Sequence, residues 1–139
     1  MASTLTFKLV TPTRIAFEGD AELVIAVTTE GEEGILPKHA PFLAALKPGV
    51  LRANVLVDGA ASRLELATSD GFMQALPEGV TILVDEAVRF EEVDVAEARE
   101  ELQAASERQR AAGDDRELYA REQAAIEFAG AKLRLTGHR

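Results

Sequence analysis

The strongest constraint in this chain is an alternation of apolar and polar residues with period two, repeated in short runs and abandoned near residue 93. Leu5, Phe7 and Leu9 fall on one side of an extended backbone, with Thr4, Thr6 and Lys8 on the other. The same pattern returns at Ile15/Phe17, Leu23/Ile25/Val27, Leu51/Ala53/Val55/Val57, Leu64/Leu66 and Val80/Ile82/Val84. Between these runs stand turn formers: Pro12, Gly19-Asp20, Pro48-Gly49, Asp58-Gly59, Asp70-Gly71 and Pro77-Glu78-Gly79. Asp58-Gly59 fits a two-residue hairpin turn, in which both central residues need a positive φ. Many short strands at this spacing predict an antiparallel sandwich or barrel, not parallel strand–helix–strand units.

The second region obeys a different rule. Up to Val93 there are 33 large apolar residues in 93 positions; from Asp94 there are 8 in 46, counting Tyr119, among 11 alanines. Asp94 can cap a helix with Glu97 three residues on, followed by Val95, Ala98, Leu102 and Ala105 at helical spacing. Gly113 suits the left-handed residue after a helix, and Asp114 with Glu117 predicts a second cap. The second helix carries Tyr119, Ile126 and Leu133 seven residues apart. The expected organisation is therefore a β-sandwich over 1–87, with roughly ten short strands, a linker over 88–93, and a two-helix antiparallel hairpin over 94–139. With so few large side chains the hairpin should be marginal alone and depend on what it rests against.

Known chemistries find little support. Acidic residues outnumber basic ones 24 to 15, for a net charge of −9, which repels a nucleic-acid backbone. The chain has no cysteine, so disulfides, thiolate zinc sites and thiol catalysis are excluded. Its two histidines are His39, in a loop between Pro37 and Pro41, and His138, read as a frayed end residue. Neither a nucleophile elbow nor a phosphate-binding glycine loop occurs. No catalytic residue and no metal site are predicted; Glu30, Glu32, Glu33 and Glu91-Glu92 read as solvated acidic turns. No run approaches the roughly 20 apolar residues of a membrane span, and the N-terminus lacks the features of a signal peptide. A soluble, intracellular protein is expected, one able to sit on a membrane complex.

Residues 31–49 are peculiar. Three prolines and three glycines surround a short apolar run, so the backbone is pinned while Ile35, Leu36, Phe42 and Leu43 are expected to be presented as a contact surface.

This segment carries a resemblance. Gly34-Ile-Leu-Pro-Lys-His-Ala-Pro41, followed by Leu43, Leu46 and Pro48-Gly49, closely resembles the epsilon subunit of F-type ATP synthases. So do Ser69-Asp-Gly-Phe72, Val80-Thr-Ile-Leu-Val-Asp-Glu-Ala87 and Asp94 at the head of the helical region. The resemblance implies a non-catalytic subunit of the rotating central stalk, peripheral on the cytoplasmic face of a bacterial plasma membrane. It implies docking to the gamma subunit and the c-subunit ring through Glu32, Gly34, Ile35, Leu36, Pro37, His39, Pro41 and Phe42, with Glu32 toward the ring and His39 toward gamma. It further implies that the helical tail restrains ATP hydrolysis through basic side chains meeting the beta subunits, for which Arg108, Arg110, Arg116 and Arg121 are candidates. Some relatives bind ATP through an Ile/Leu-Asp-x-x-Arg-Ala motif. In one register it falls on Glu117–Glu122, where Arg121 matches but Leu118 replaces the acid and Glu122 the alanine. In another it falls on Ile126–Ala131, with Glu127 as the acid and no arginine. Weak or absent ATP binding is expected, and no cofactor. Two other classes compete with this reading: a sandwich adaptor with a coiled-coil tail, and an enzyme using scattered carboxylates. The first lacks a sustained heptad seam, since Asp94–Ala112 offers only Val95 and Leu102. The second lacks a nucleophile, a phosphate loop and a metal cluster.

Overall fold

Most of the turn formers separate strands in the computed structural model, which describes residues 3–137. Gly19-Asp20 does not, because both residues pair with the preceding strand inside one continuous strand, Ile15–Thr28. The first ninety residues form nine strands among those described. They are β1 (Leu5–Val10), β2 (Ile15–Thr28), β3 (Gly31–Ile35), β4 (Phe42–Leu46), β5 (Gly49–Val57), β6 (Ala60–Thr68), β7 (Gly71–Leu76), β8 (Gly79–Val84) and β9 (Ala87–Arg89). Asp58 and Gly59 have φ of 52° and 80°, the pair of positive values required between β5 and β6. His138 lies outside the described residues.

β2 closes the sandwich. Its first half pairs with β1 (Leu5↔Ala21 to Val10↔Ile15) and its second half with β3 (Val24↔Ile35 to Thr28↔Gly31). On its other side it pairs with β5, with a register shift between Ala21 and Leu23, the kind of irregularity that bends a strand from one sheet into another. One layer runs β4-β7-β8-β1 and the other β3-β2-β5-β6-β9. The pairing is antiparallel except between β1 and β8, which run parallel.

The core between the layers follows the alternation: Phe7, Leu9, Leu66, Met73 and Ile82 are inaccessible to solvent. On β2 the parity is the reverse of the one that residue size suggests. Val24, Ala26 and Thr28 face inward while Leu23, Ile25 and Val27 stay half-buried outside. Both faces of β2 are apolar, so size cannot identify the inner one; pairing does, since Val24 sits opposite the buried Ile35 and Ala53. Val57, the expected end of the β5 inner row, is 52% exposed because it stands at the hairpin turn, beyond the core. Gly71 is required for packing: a Cβ there would lie 2.0 Å from the Leu83 carbonyl oxygen on β8.

Of the residues 88–93 expected as a linker, Val88 and Arg89 belong to β9, and Phe90–Glu92 form one 3₁₀ turn. Arg14 holds that turn through the Ala87 carbonyl (2.7 Å) and the Glu92 carboxylate (3.4 Å). Then come α1 (Val95–Arg110) and α2 (Arg116–Leu135). The Asp94 carboxylate accepts the Glu97 N–H at 3.1 Å, as a cap should. The second cap is Asp115, accepting the Leu118 N–H at 3.0 Å, not Asp114. Gly113, at φ 59°, lets the chain turn one residue later than expected. Tyr119, in the first turn of α2, is 52% exposed. The buried side of α2 is instead formed by Glu122, Phe128, Ala129, Ala131 and Leu133. A strict seven-residue spacing drifts about 20° per repeat on a straight helix, so it does not mark a single buried stripe here.

α2 is the middle layer. On one side Phe128 and Ala131 pack with Ala67 of β6, flanked by Val50, Val88 and Leu135. On the other side α1 is fastened by Arg108–Glu122 at 3.0 Å, Gln109–Gln123 at 2.7 Å and Lys132–Glu101 at 2.7 Å.

Candidate functional site

The two layers treat their outer faces differently. The outer face of the β3-β2-β5-β6-β9 layer carries α2 over Val50, Ala67 and Val88. No other element among the described residues covers the outer face of the β4-β7-β8-β1 layer, yet beside Lys8, Gln74 and Thr81 it carries large apolar side chains. Pairing sets Ala45, Phe72, Leu83 and Val10 in one row across four strands. Phe72 is 59% exposed and Leu83 52%. Leu43, at 74%, and Leu76 extend the patch along β4 and β7. Apolar faces of this extent on a folded chain mark contact surfaces.

Loop 36–41 borders this face. The Lys38 N–H donates to the Pro77 carbonyl of the β7–β8 turn at 2.9 Å, and the His39 N–H to the Leu36 carbonyl at 3.2 Å. Lys38 takes a left-handed conformation, φ 68°, between the fixed angles of Pro37 and Pro41. The His39 ring meets Phe42 edge-on, 5.0 Å between centroids, and its Nδ1 lies 2.9 Å from the Ala40 carbonyl oxygen. Leu36 is thereby held out at 57% exposure. Not all of the expected surface is presented. Ile35 is fully buried, because its position opposite Val24 turns it into the core. Phe42 is half-buried against the core. Glu32 and Gly34 lie on the solvent side of β3, opposite Val27 and Ile25, and the Glu32 carboxylate is bonded to Arg52 of β5.

The candidate arginines of the hairpin separate. Arg108 is committed to Glu122, and that hydrogen bond raises its pKa further. Arg116 lies beside Gly113, Asp114 and Tyr119 at the hairpin tip, and Arg110 is exposed on α1. Arg121 faces a cavity of about 640 Å³ between hairpin and sandwich, whose other charged lining residues are Asp70, Asp85, Glu86, Glu101 and Arg108. With four carboxylates against two guanidiniums, one already paired, this cavity is poorly suited to a polyphosphate. Among the described residues no group of three His, Asp or Glu gathers as a metal would need. No helix there is long and apolar enough to cross a membrane.

The bare face breaks the alternation of apolar and polar residues, and two positions in the sequence signal it. Leu83 is out of phase in Val80-Thr-Ile-Leu-Val84, and Phe72 follows Gly71 on the polar parity of β7. Both are large apolar residues where a solvated face would have polar ones.

Residues 4–90 match the family described as the ATP synthase Delta/Epsilon chain, beta-sandwich domain. Over 132 residues the chain is 39% identical to the ATP synthase epsilon chain of Chromobacterium violaceum, covering 95% of this chain and 92% of that one. It is 42% identical to ATP synthase epsilon chain 1 of Methylococcus capsulatus over 96% and 93% of the two chains. Among solved structures its fold is similar to a chain of the Euglena gracilis mitochondrial ATP synthase OSCP/F1/c-ring assembly. The TM-score is 0.76 at 23% identity, over 97% of this chain and 82% of the other.

Proposed function

The chain belongs to the ATP synthase epsilon-chain family, and from that premise we propose that it is a non-catalytic part of the central stalk, docked to the gamma subunit and the c-subunit ring and carrying proton-driven rotation of that ring toward ATP synthesis. The observation that carries this reading is the uncovered apolar face of Leu43, Phe72, Leu76 and Leu83. A monomer working alone would gain by covering it; a subunit that spends its life against a neighbour needs it. Gamma occupies this face together with loop 36–41, where Leu36 and His39 project. The ring lies against the Glu32 end of β3, which lends the ring a carboxylate and not an apolar surface. The protein is then peripheral, on the cytoplasmic face of the bacterial membrane, held there by other subunits. Phe72→Asp with Leu83→Asp should lower affinity for purified gamma by at least about a hundredfold, since large apolar anchors at the centre of an interface cost 2 kcal/mol or more each. Binding within threefold of wild type, roughly, would refute the assignment of that face.

The hairpin acts as a brake on ATP hydrolysis by meeting the beta subunits. Its attachment favours this: it rests on the sandwich through one small apolar cluster and the Lys47–Glu127 pair. A release costing only a few kcal/mol permits two tail positions. Arg110, Arg116 and Arg121, all exposed, are the basic side chains available to an acidic partner, and Arg108 becomes available once it leaves Glu122. Removal of residues 94–139 should raise ATP hydrolysis by the assembled complex several-fold; unchanged hydrolysis would end the brake reading. ATP is not a ligand of the isolated chain, given the acidic lining of the cavity beside Arg121. Calorimetry yielding a micromolar dissociation constant would contradict this.

A further inference from the structure

Glu32 does not stand free on its strand. Its Oε2 accepts from Nη2 of Arg52, twenty residues away in sequence. β3 has only β2 as its partner along most of its length, and Arg52 belongs to β5 on the far side of β2. Register puts Ile25 opposite Arg52 and Val27 opposite Glu32. The arginine therefore reaches across β2, about two strand spacings of roughly 4.8 Å, along the outer face. Its side chain is 31% exposed while that of Glu32 is 57% exposed. The anchored end is thus the more enclosed one, and the carboxylate the more presented one.

We infer that Arg52 is a positioning residue for Glu32, holding the carboxylate in one orientation on the edge strand so that its second oxygen meets the partner already ordered. This rests on the reading that Glu32 faces the c-subunit ring. An exposed glutamate has three rotatable bonds, and ordering them at the moment of docking weakens binding. A guanidinium fixed by its own strand removes that cost beforehand. It also balances one of the three carboxylates at Glu30, Glu32 and Glu33, so that less uncompensated negative charge is brought against the neighbour. The pair is too exposed to matter much for folding, so its contribution should appear in docking.

The experiment is a double-mutant cycle on the full chain, with binding to the detergent-solubilised ring of c subunits as readout and the thermal midpoint measured in parallel. Glu32→Ala is expected to lower affinity about tenfold, and Arg52→Ala to reach the same loss within about twofold. The double variant should be no worse than either single one, because one residue acts through the other. Arg52→Lys should recover most of the affinity, with the thermal midpoint of every variant within about 2 °C of wild type. If Glu32→Ala weakens binding but Arg52→Ala does not, the positioning role is wrong while the Glu32 reading stands. Additive losses, or a loss that follows a falling midpoint, would also overturn it, as would tighter binding by Arg52→Ala. If Glu32→Ala itself binds normally, the underlying reading fails first.

Discussion

The sandwich and the hairpin are built from the same chain by opposite means. The sandwich is closed: its strands pair around β2, and Phe7, Leu9, Leu66, Met73 and Ile82 fill the space between two layers with no solvent access. The hairpin is assembled from alanines and charge. Its deepest large side chains are Phe128 and Leu133, and its helices are joined through buried alanines such as Ala98, Ala105 and Ala129 together with polar pairs such as Arg108–Glu122 and Lys132–Glu101. The first body owes its stability to itself, the second to its contact with the first.

The sharpest test of this contrast is a large cavity in each body. Phe7→Ala removes a ring with zero exposure that packs 5.5 Å from Phe17 and should cost about 3–5 kcal/mol of global stability. Denaturant unfolding of the full chain would show both bodies lost together, since the hairpin has nothing else to rest on. A hairpin that kept its helicity after the sandwich had unfolded would break the comparison.

A smaller and more local effect is expected at the contact. Phe128 is 7% exposed, packs with Ala67 and Ala131, and lies under the Lys132 ammonium, 4.7 Å from the ring centroid. Phe128→Ala should weaken docking by about 2–3 kcal/mol while the sandwich core is untouched. Hydrogen exchange would report it as faster opening across α1 and α2, with protection in β1, β7 and β8 unchanged. Equal loss of protection in the strands would mean that the two bodies are one cooperative unit.

These differences explain what the sequence could reveal. Alternation located β1, β2, β5, β6 and β8 and most of the core, because a residue such as Ile82 has only one way to face once its strand is paired; it did not mark the short β3, β4, β7 and β9. It failed on β2, where Leu23, Ile25 and Val27 are as apolar as the inner row, and on Ile35, whose direction is decided by pairing with Val24. Helix starts were legible to within one residue, the error at Asp114 arising because Gly113 and two following aspartates permit two caps. Tertiary charge pairs were out of reach: nothing local ties Glu32 to Arg52 or Lys47 to Glu127. Segment 31–49 was visible in its prolines and glycines, whereas the apolar face beside it left only the out-of-phase Phe72 and Leu83 as a sign, since the full patch also draws on β1 and β4, far from β7 and β8 in sequence.

The connection between the bodies gives the smallest effect and the most specific sign. The Glu92 carboxylate accepts the Arg89 N–H at 3.0 Å and lies 3.4 Å from the Arg14 guanidinium. The Arg89 backbone hydrogen bond, helped by the charge of Arg14 and opposed by partial burial, lowers its pKa below the ordinary 4.5. A carboxylate with a depressed folded pKa contributes stability that is complete above its unfolded pKa and is lost as pH falls through the folded one. The 3₁₀ turn that fixes the start of α1 should therefore loosen only in acid, below about pH 4.5, and stay closed at neutral pH. Wild type and Glu92→Gln should differ in stability at about pH 7 and converge as pH falls through the lowered folded pKa, since protonation turns the acid into a neutral group much like the amide. Because the site is exposed the difference is small, and hydrogen exchange at Arg89 and Val93 would resolve it better than global unfolding. Parallel profiles across that range would show that the Glu92 clasp contributes nothing to the start of α1.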